Sequence, residues 1–169
     1  MKGEITRQFK ISNGICYLEI KLKALNSNPI LVIASYYNPP NFKPNKSIFE
    51  RLESSKMDFI LMGDLNSSLR IMGGSKDCRD NGEALKEILI ETNTLFLYNS
   101  IPTRHDRSGR CKSEVLDVCL HSPGLYNSSN SISVGDHDMG SDHFPIFIGF
   151  QLEVEMAPPI PQEPYYKFF

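Results

Sequence analysis

The stretch Phe59-Ile60-Leu61-Met62-Gly63-Asp64-Leu65-Asn66 decides how the rest of this chain is read. Its four leading apolar residues have the profile of a buried strand. Gly63 ends that run, and a glycine lets the backbone pass close to another chain or a ligand. Asp64 and Asn66, two positions apart, point the same way off an extended chain. A carboxylate and an amide so placed can hold a water and a phosphoryl oxygen. The same residues also suit a plain strand-end turn, because Asp and Asn bond their own backbone there.

Upstream, Ile30 to Tyr37 is a second β-rich apolar run, read as a strand buried on both faces, and Asn38-Pro39-Pro40-Asn41 stops it. Tyr37 at its end could donate its hydroxyl to a phosphate, although one of Tyr36 and Tyr37 must serve packing. Further back, Cys16, Leu18, Ile20 and Leu22 alternate with Glu19, Lys21 and Lys23, which predicts a strand with one solvated face. Ser47 to Ser54 places Ile48, Phe49 and Leu52 on one side of a short helix.

Downstream, the Gly- and Ser-rich run from Leu69 to Asp80 reads as a loop, and Gly82 to Asn93 as an amphipathic helix. Leu95 to Tyr98 is a short strand and Ser108 to Lys112 a turn. Val115 to Leu120, Ser131 to Val134 and Phe144 to Leu152 complete the strands. Strands with helices set between some of them predict an α/β or α+β sandwich with its chemistry on strand-end loops.

Two further segments carry polar groups in telling places. In Ser113-Glu114-Val115-Leu116-Asp117-Val118-Cys119-Leu120, Asp117 interrupts an apolar strand. A carboxylate there is costly unless paired, and a histidine partner would be oriented in return. In Gly140-Ser141-Asp142-His143-Phe144-Pro145-Ile146, an acid and a histidine stand just before a strand. Such a histidine serves as acid or base, or stabilises charge building on a phosphate. With Asp136, His137 and Asp138 nearby, the segment reads equally as a polar surface loop.

The bulk numbers bound these readings. At 169 residues, 40% apolar and 22% charged, the chain suits one globular domain. A net charge of −2 lacks the basic excess that DNA-binding domains usually show, yet a nuclease gathering carboxylates at its catalytic edge needs none. Cys16, Cys78, Cys111 and Cys119 form no C-x-x-C pair, which disfavours zinc and fits free thiols in a reducing, intracellular compartment. Met1 to Lys10 has no signal-like apolar core, and no window holds about 18 consecutive apolar residues, so no membrane span is expected. Pro158, Pro159, Pro161 and Pro164 make the tail an extended linker.

Taken in order, Tyr37, Gly63-Asp64-Leu65-Asn66, Asp117 and Ser141-Asp142-His143 resemble the motif series of the exonuclease–endonuclease–phosphatase superfamily. Arg79-Asp80-Asn81-Gly82-Glu83-Ala84-Leu85, Pro102-Thr103-Arg104, Leu116-Asp117 and Ser141-Asp142-His143-Phe144-Pro145-Ile146 are similar to jockey-like non-LTR retrotransposon endonucleases. Pro164-Tyr165-Tyr166-Lys167-Phe168 looks like the linker into a reverse transcriptase.

The resemblance implies a DNase I-like four-layer α/β sandwich, two β-sheets flanked by helices, over residues 1–155, with 156–169 as the linker. It implies a metal-dependent phosphodiesterase that nicks DNA, with Mg²⁺ or Mn²⁺, no other cofactor, and a nuclear place of action. By family roles, Asp64 positions the water or assists the leaving group, and Asn66 holds it and a phosphoryl oxygen. His143 meets the scissile phosphate with Asp117 orienting it, Asp142 and Asp64 serve the metal, and Tyr37 and Thr103 touch phosphate or DNA. The family's N-terminal Asn and metal-binding Glu have no match, since Glu4 and Glu19 lack their surroundings. A domain truncated at both ends, with weak or no nuclease activity, is the resulting expectation. A phosphatase of the same superfamily and a non-catalytic binding module are the alternatives.

Overall fold

The computed structural model describes residues 4–12, 15–23, 29–74, 79–105, 113–127 and 130–151. Its main element is a six-stranded sheet in the order β1-β2-β3-β4-β6-β5. The strands are β1 (Glu4–Ser12), β2 (Ile15–Lys23), β3 (Pro29–Tyr37), β4 (Asp58–Asp64), β5 (Leu95–Phe96) and β6 (Asp117–His121). Among the described strands only β3 and β4 run parallel, joined across one face by α1 (Lys46–Ser54). A second helix, α2 (Arg79–Glu91), leads into β5. β7 (Asn130–Val134) and β8 (Ile146–Phe150) pair as a separate antiparallel sheet.

The central strands β3, β4 and β6 feed two cores. Val32, Ala34, Phe59, Leu61, Val118 and Leu120 bury themselves against Phe49 and Leu52 of α1 and Leu85 and Ile88 of α2. On the opposite face Leu31, Ile60 and Cys119 meet Ile132, Ile148 and Phe150 of the small sheet. Full burial of one such side chain contributes about 1.5–3 kcal/mol, so the helix-side core dominates stability. The described residues thus supply helix, large-sheet and small-sheet layers in that order.

Several expectations are corrected by this packing. On β2 the charged face is the inner one: Tyr17 and Glu19 are buried, while Cys16, Leu18 and Ile20 are half-buried. Glu19 tolerates burial because Arg51 Nη2 of α1 reaches its Oε2 at 2.6 Å and the Tyr17 hydroxyl donates to the same oxygen at 3.0 Å. β3 is not buried on both faces, since Ser35 and Tyr37 are exposed where the small sheet does not reach. The charged N-terminal run, to which the sequence reading assigned no strand, forms β1 by pairing along all nine residues with β2.

β4 does not stop before Gly63. It continues through Gly63 and Asp64, because Asp64 is the register partner of Asp117. β6 begins at Asp117 rather than Val115, and β5 is only two residues long. Within the expected loop, Arg70–Met72 makes one 3₁₀ turn that buries Met72, and α2 starts at Arg79. The expected turn at Ser108 to Lys112 lies wholly outside the described residues, as does the proline-rich tail.

Candidate active site

Gly63 fixes where the site forms. Its φ is +144°, and a Cβ there would lie 2.2 Å from the Tyr36 carbonyl oxygen of β3, so only glycine fits. One residue on, Asp64 ends β4 on the face that looks towards the small sheet, with Asp117 directly opposite on β6. The Asn66 N–H donates to Asp64 Oδ1 at 2.8 Å and Asn66 Nδ2 to Asp64 Oδ2 at 3.0 Å. Asn66 reaches this position with φ at +47°, a left-handed conformation that Asn accepts more readily than most residues.

His143 closes the arrangement from the other side. Its Nδ1 lies 2.8 Å from Asp117 Oδ2, and its Nε2 lies 3.9 Å from Asp64 Oδ2. The carboxylate accepts, so Nδ1 carries the proton and Nε2 faces Asp64. A gap of 3.9 Å is too long for a direct hydrogen bond but admits a bridging water or phosphoryl oxygen. Burial is the first cause pushing the Asp64 carboxyl up to about 6; the charge of Asp117 adds to it, and the bonds from Asn66 and the neighbouring His143 oppose it.

Four of the residues read from the sequence therefore converge: Asp64, Asn66, Asp117 and His143. Tyr37 stands at the end of β3, 42% exposed, next to Asn38, whose N–H donates to the Asp64 carbonyl at 2.8 Å. Asp142 is turned to Arg104, with Nε 2.9 Å from its Oδ2, and this bond holds its carboxyl below the ordinary range. Thr103 requires a correction. It is 0% exposed, so it cannot touch DNA. Instead its Oγ1 accepts the N–H groups of Leu116 and Asp117, each at 3.0 Å, and its backbone carbonyl accepts the Phe144 N–H at 2.7 Å. Thr103 is a positioning residue beneath Asp117 and His143.

Two residues escaped the sequence reading. Asn38 is fully buried and ties three segments together: Nδ2 donates to the Pro39 and Leu65 carbonyls, Oδ1 accepts the Tyr36 hydroxyl, and its own carbonyl accepts Asn66 Nδ2. The Pro-Pro stop following it was the available signal, since such a stop needs an anchor. Arg104 was quoted only as part of a pattern; its backbone bridges both Glu114 and His143.

A divalent cation does not fit these residues as they stand. The oxygen donors are of the right hardness, but among the described residues no group of three or more His, Cys, Asp or Glu side chains could hold a metal. Asp117 is committed to His143 and Asp142 to Arg104, so a cation at Asp142 would have to displace a guanidinium.

Two packed sheets with helices on an outer face, and paired strand-end carboxylates beside a loop histidine, define the DNase I-like fold of the exonuclease–endonuclease–phosphatase superfamily. The endonuclease domain of TRAS1, a telomere-specific non-LTR retrotransposon, superposes with a TM-score of 0.67 at 23% identity, over 89% of this chain and 70% of that one. An AP endonuclease from Archaeoglobus fulgidus gives 0.58 at 17% identity, over 80% and 65%. A 3′ phosphatase from Neisseria, bound to a product DNA hairpin, gives 0.55 at 15%, over 80% and 65%. The model of the endonuclease-reverse transcriptase family matches residues 31–147, and the chain belongs to that family. No curated protein matches the sequence.

Proposed function

We propose that this chain is the DNA-binding, phosphodiester-hydrolysing part of a retroelement polyprotein, with weak or no turnover on its own. The observation that carries this reading is the line Asp117–His143–Asp64, in which one imidazole is oriented by the first carboxylate and faces the second across a ligand-sized gap. In the reaction, Asp64 and Asn66 hold the attacking water, and a carboxyl pushed up to about 6 accepts its proton near neutral pH. His143 Nε2, when protonated, donates to a phosphoryl oxygen as charge builds on it. Tyr37, exposed at the end of β3, meets a neighbouring phosphate.

The weak turnover follows from the unfilled cation requirement. Phosphoryl transfer leans on positive charge to offset the developing negative charge, and Mg²⁺ or Mn²⁺ finds no closed ligand set among the described residues. Residues 1–155 form the endonuclease part in this reading and 156–169 the linker towards a reverse transcriptase. A substrate of chromosomal DNA places the action in the nucleus. No helix among the described residues is long and apolar enough to cross a membrane.

The test pairs binding with turnover. Supercoiled plasmid and a phosphoinositide panel are offered with Mg²⁺ or Mn²⁺, and duplex DNA binding is read by fluorescence anisotropy. DNA binding that weakens in His143→Ala, with any slow nicking lost in both Asp64→Ala and His143→Ala, is the expected result. Release of inorganic phosphate from the phosphoinositides would favour the phosphatase alternative. DNA binding indifferent to both substitutions would end the proposal.

A further inference from the structure

β5 is the last strand of the large sheet, and among the described residues β6 is its only neighbour. Beside it lies a groove of about 390 Å³, at the far end of β6 from Asp117 and lined by Ile71, Leu89, Ile90, Leu95, His121 and Tyr126 among others. Four residue steps along the strand separate its His121 from Asp117, about 13 Å. Its rim is unusually apolar for a surface, with Ile90 73% and Tyr126 71% exposed.

The main chain along this groove is open as well. Antiparallel partners alternate between bonded and non-bonded pairs. The Leu97 N–H donates to the Cys119 carbonyl at 3.0 Å, and Leu95 and Phe96 stand opposite His121 and Leu120. Leu95 with His121 is then the next bonded pair. Phe96, between them, turns its N–H and carbonyl away from β6 to an edge that no other described strand covers. Such a donor and acceptor side by side are what an added strand takes up.

A third observation is chemical. His121 is only 2% exposed, its ring lines the groove, and Nδ1 donates to the Ser122 carbonyl at 2.8 Å. Nε2 is therefore an acceptor, and among the described residues no donor meets it. The ring packs edge-on against Phe150, with centroids 5.7 Å apart.

We propose that this groove docks an extended peptide of another protein, which pairs with the Phe96 main chain as a further strand and offers a hydroxyl or amide side chain to His121 Nε2. A helix has already spent its main-chain groups on itself and could not use Phe96. A purely aliphatic ligand would fill the apolar walls and leave both Phe96 and His121 unmet. An extended segment with an apolar residue on one side of a polar one satisfies all three features. These observations lie apart from Asp64 and His143, so the inference stands or falls separately from the endonuclease reading.

The experiment selects short random peptides displayed on phage against the immobilised full chain, and the best binder is then synthesised. Binding should fall at least about tenfold on Ile90→Glu and on Tyr126→Glu, both exposed enough to leave folding intact. N-methylation of alternate peptide bonds in the ligand should abolish binding while the intervening bonds tolerate it. Hydrogen exchange at the Phe96 amide should slow in the complex. The proposal is overturned by failure to select any binder sensitive to Ile90→Glu, or by N-methylation effects without alternation. A chain that is dimeric by light scattering and becomes monomeric on Ile90→Glu would overturn it in favour of self-pairing along β5.

Discussion

His143 Nδ1 sits 2.8 Å from Asp117 Oδ2, so a loop residue and a strand residue 26 positions apart share one proton-bearing contact. Asp117→Asn replaces a pure acceptor with a group that also donates, and the imidazole loses its reason to keep the proton on Nδ1. Ring ¹⁵N spectra should show the tautomer shifting, with duplex DNA affinity reduced at least about tenfold. An unchanged ring spectrum would show that Asp117 does not orient the histidine.

Thr103 offers a sharper test of positioning. Thr103→Val keeps the shape but removes the oxygen that two buried N–H groups need. Unmet buried donors cost about 1–3 kcal/mol each, so urea unfolding should reveal a loss of about 2 kcal/mol or more. Thr103→Ser, which keeps the hydroxyl, should recover most of the stability and all of the Asp117–His143 contact. Equal loss in both variants would mean that the methyl group, not the oxygen, is what counts.

At Gly63 the backbone leaves no room for a side chain. Gly63→Ala sets a Cβ against the Tyr36 carbonyl and forces a positive φ on alanine. A destabilisation of about 3 kcal/mol or more is expected, visible as a fall in Tm or as insoluble expression. A soluble variant with unaltered Tm would contradict the close approach of β3 and β4.

The Asp64 carboxyl is destabilised when ionised, chiefly by burial and further by Asp117. Its folded pKa is raised, so the folded state holds a proton that the unfolded state has given up between about 4 and about 6. Stability accordingly falls as pH rises through that window. With EDTA present, Asp64→Asn should be about 1 kcal/mol more stable than the parent at pH 7, and this advantage should shrink as pH drops from 6 to 4. Denaturant titrations at both ends of the range check it; an advantage that grows on acidification would reverse the assignment.

Cysteine chemistry gives an independent check on packing. Burial pushes the Cys119 thiol up to about 12, between the large and small sheets, whereas Cys16 is half-buried. Iodoacetamide at neutral pH should label Cys16 and spare Cys119 until urea is added, as read by peptide mass spectrometry. Prompt labelling of Cys119 in the native chain would place the small sheet elsewhere.

How far the sequence reaches is clearest at particular residues. Asp64 and Asn66 were legible because a two-residue spacing at a strand end is a local signal. Asp117 was legible because a carboxylate inside an apolar run demands a partner. Glu19 misled: alternation identifies two faces of β2 but not which one meets the helices, and Arg51 of α1 decides that. Thr103 misled for a related reason, since nothing local distinguishes a hydroxyl that meets a ligand from one that meets buried N–H groups. In β1 the even spacing of Ile5, Phe9 and Ile11 is broken by Arg7 and set among charged residues, and pairing with β2 is what makes it a strand.

Asp64 and Asp117 are rungs of one ladder, so the distance between their backbones is that of neighbouring strands, about 5 Å. No hinge or loop can spread them without unzipping the end of β4 from β6. An incoming group therefore meets a cradle of two carboxylates already assembled and owes nothing to ordering the strands, only the cost of shedding its own water. For the same reason the cradle cannot widen to suit a bulkier ligand: what enters must match a spacing set by peptide geometry alone.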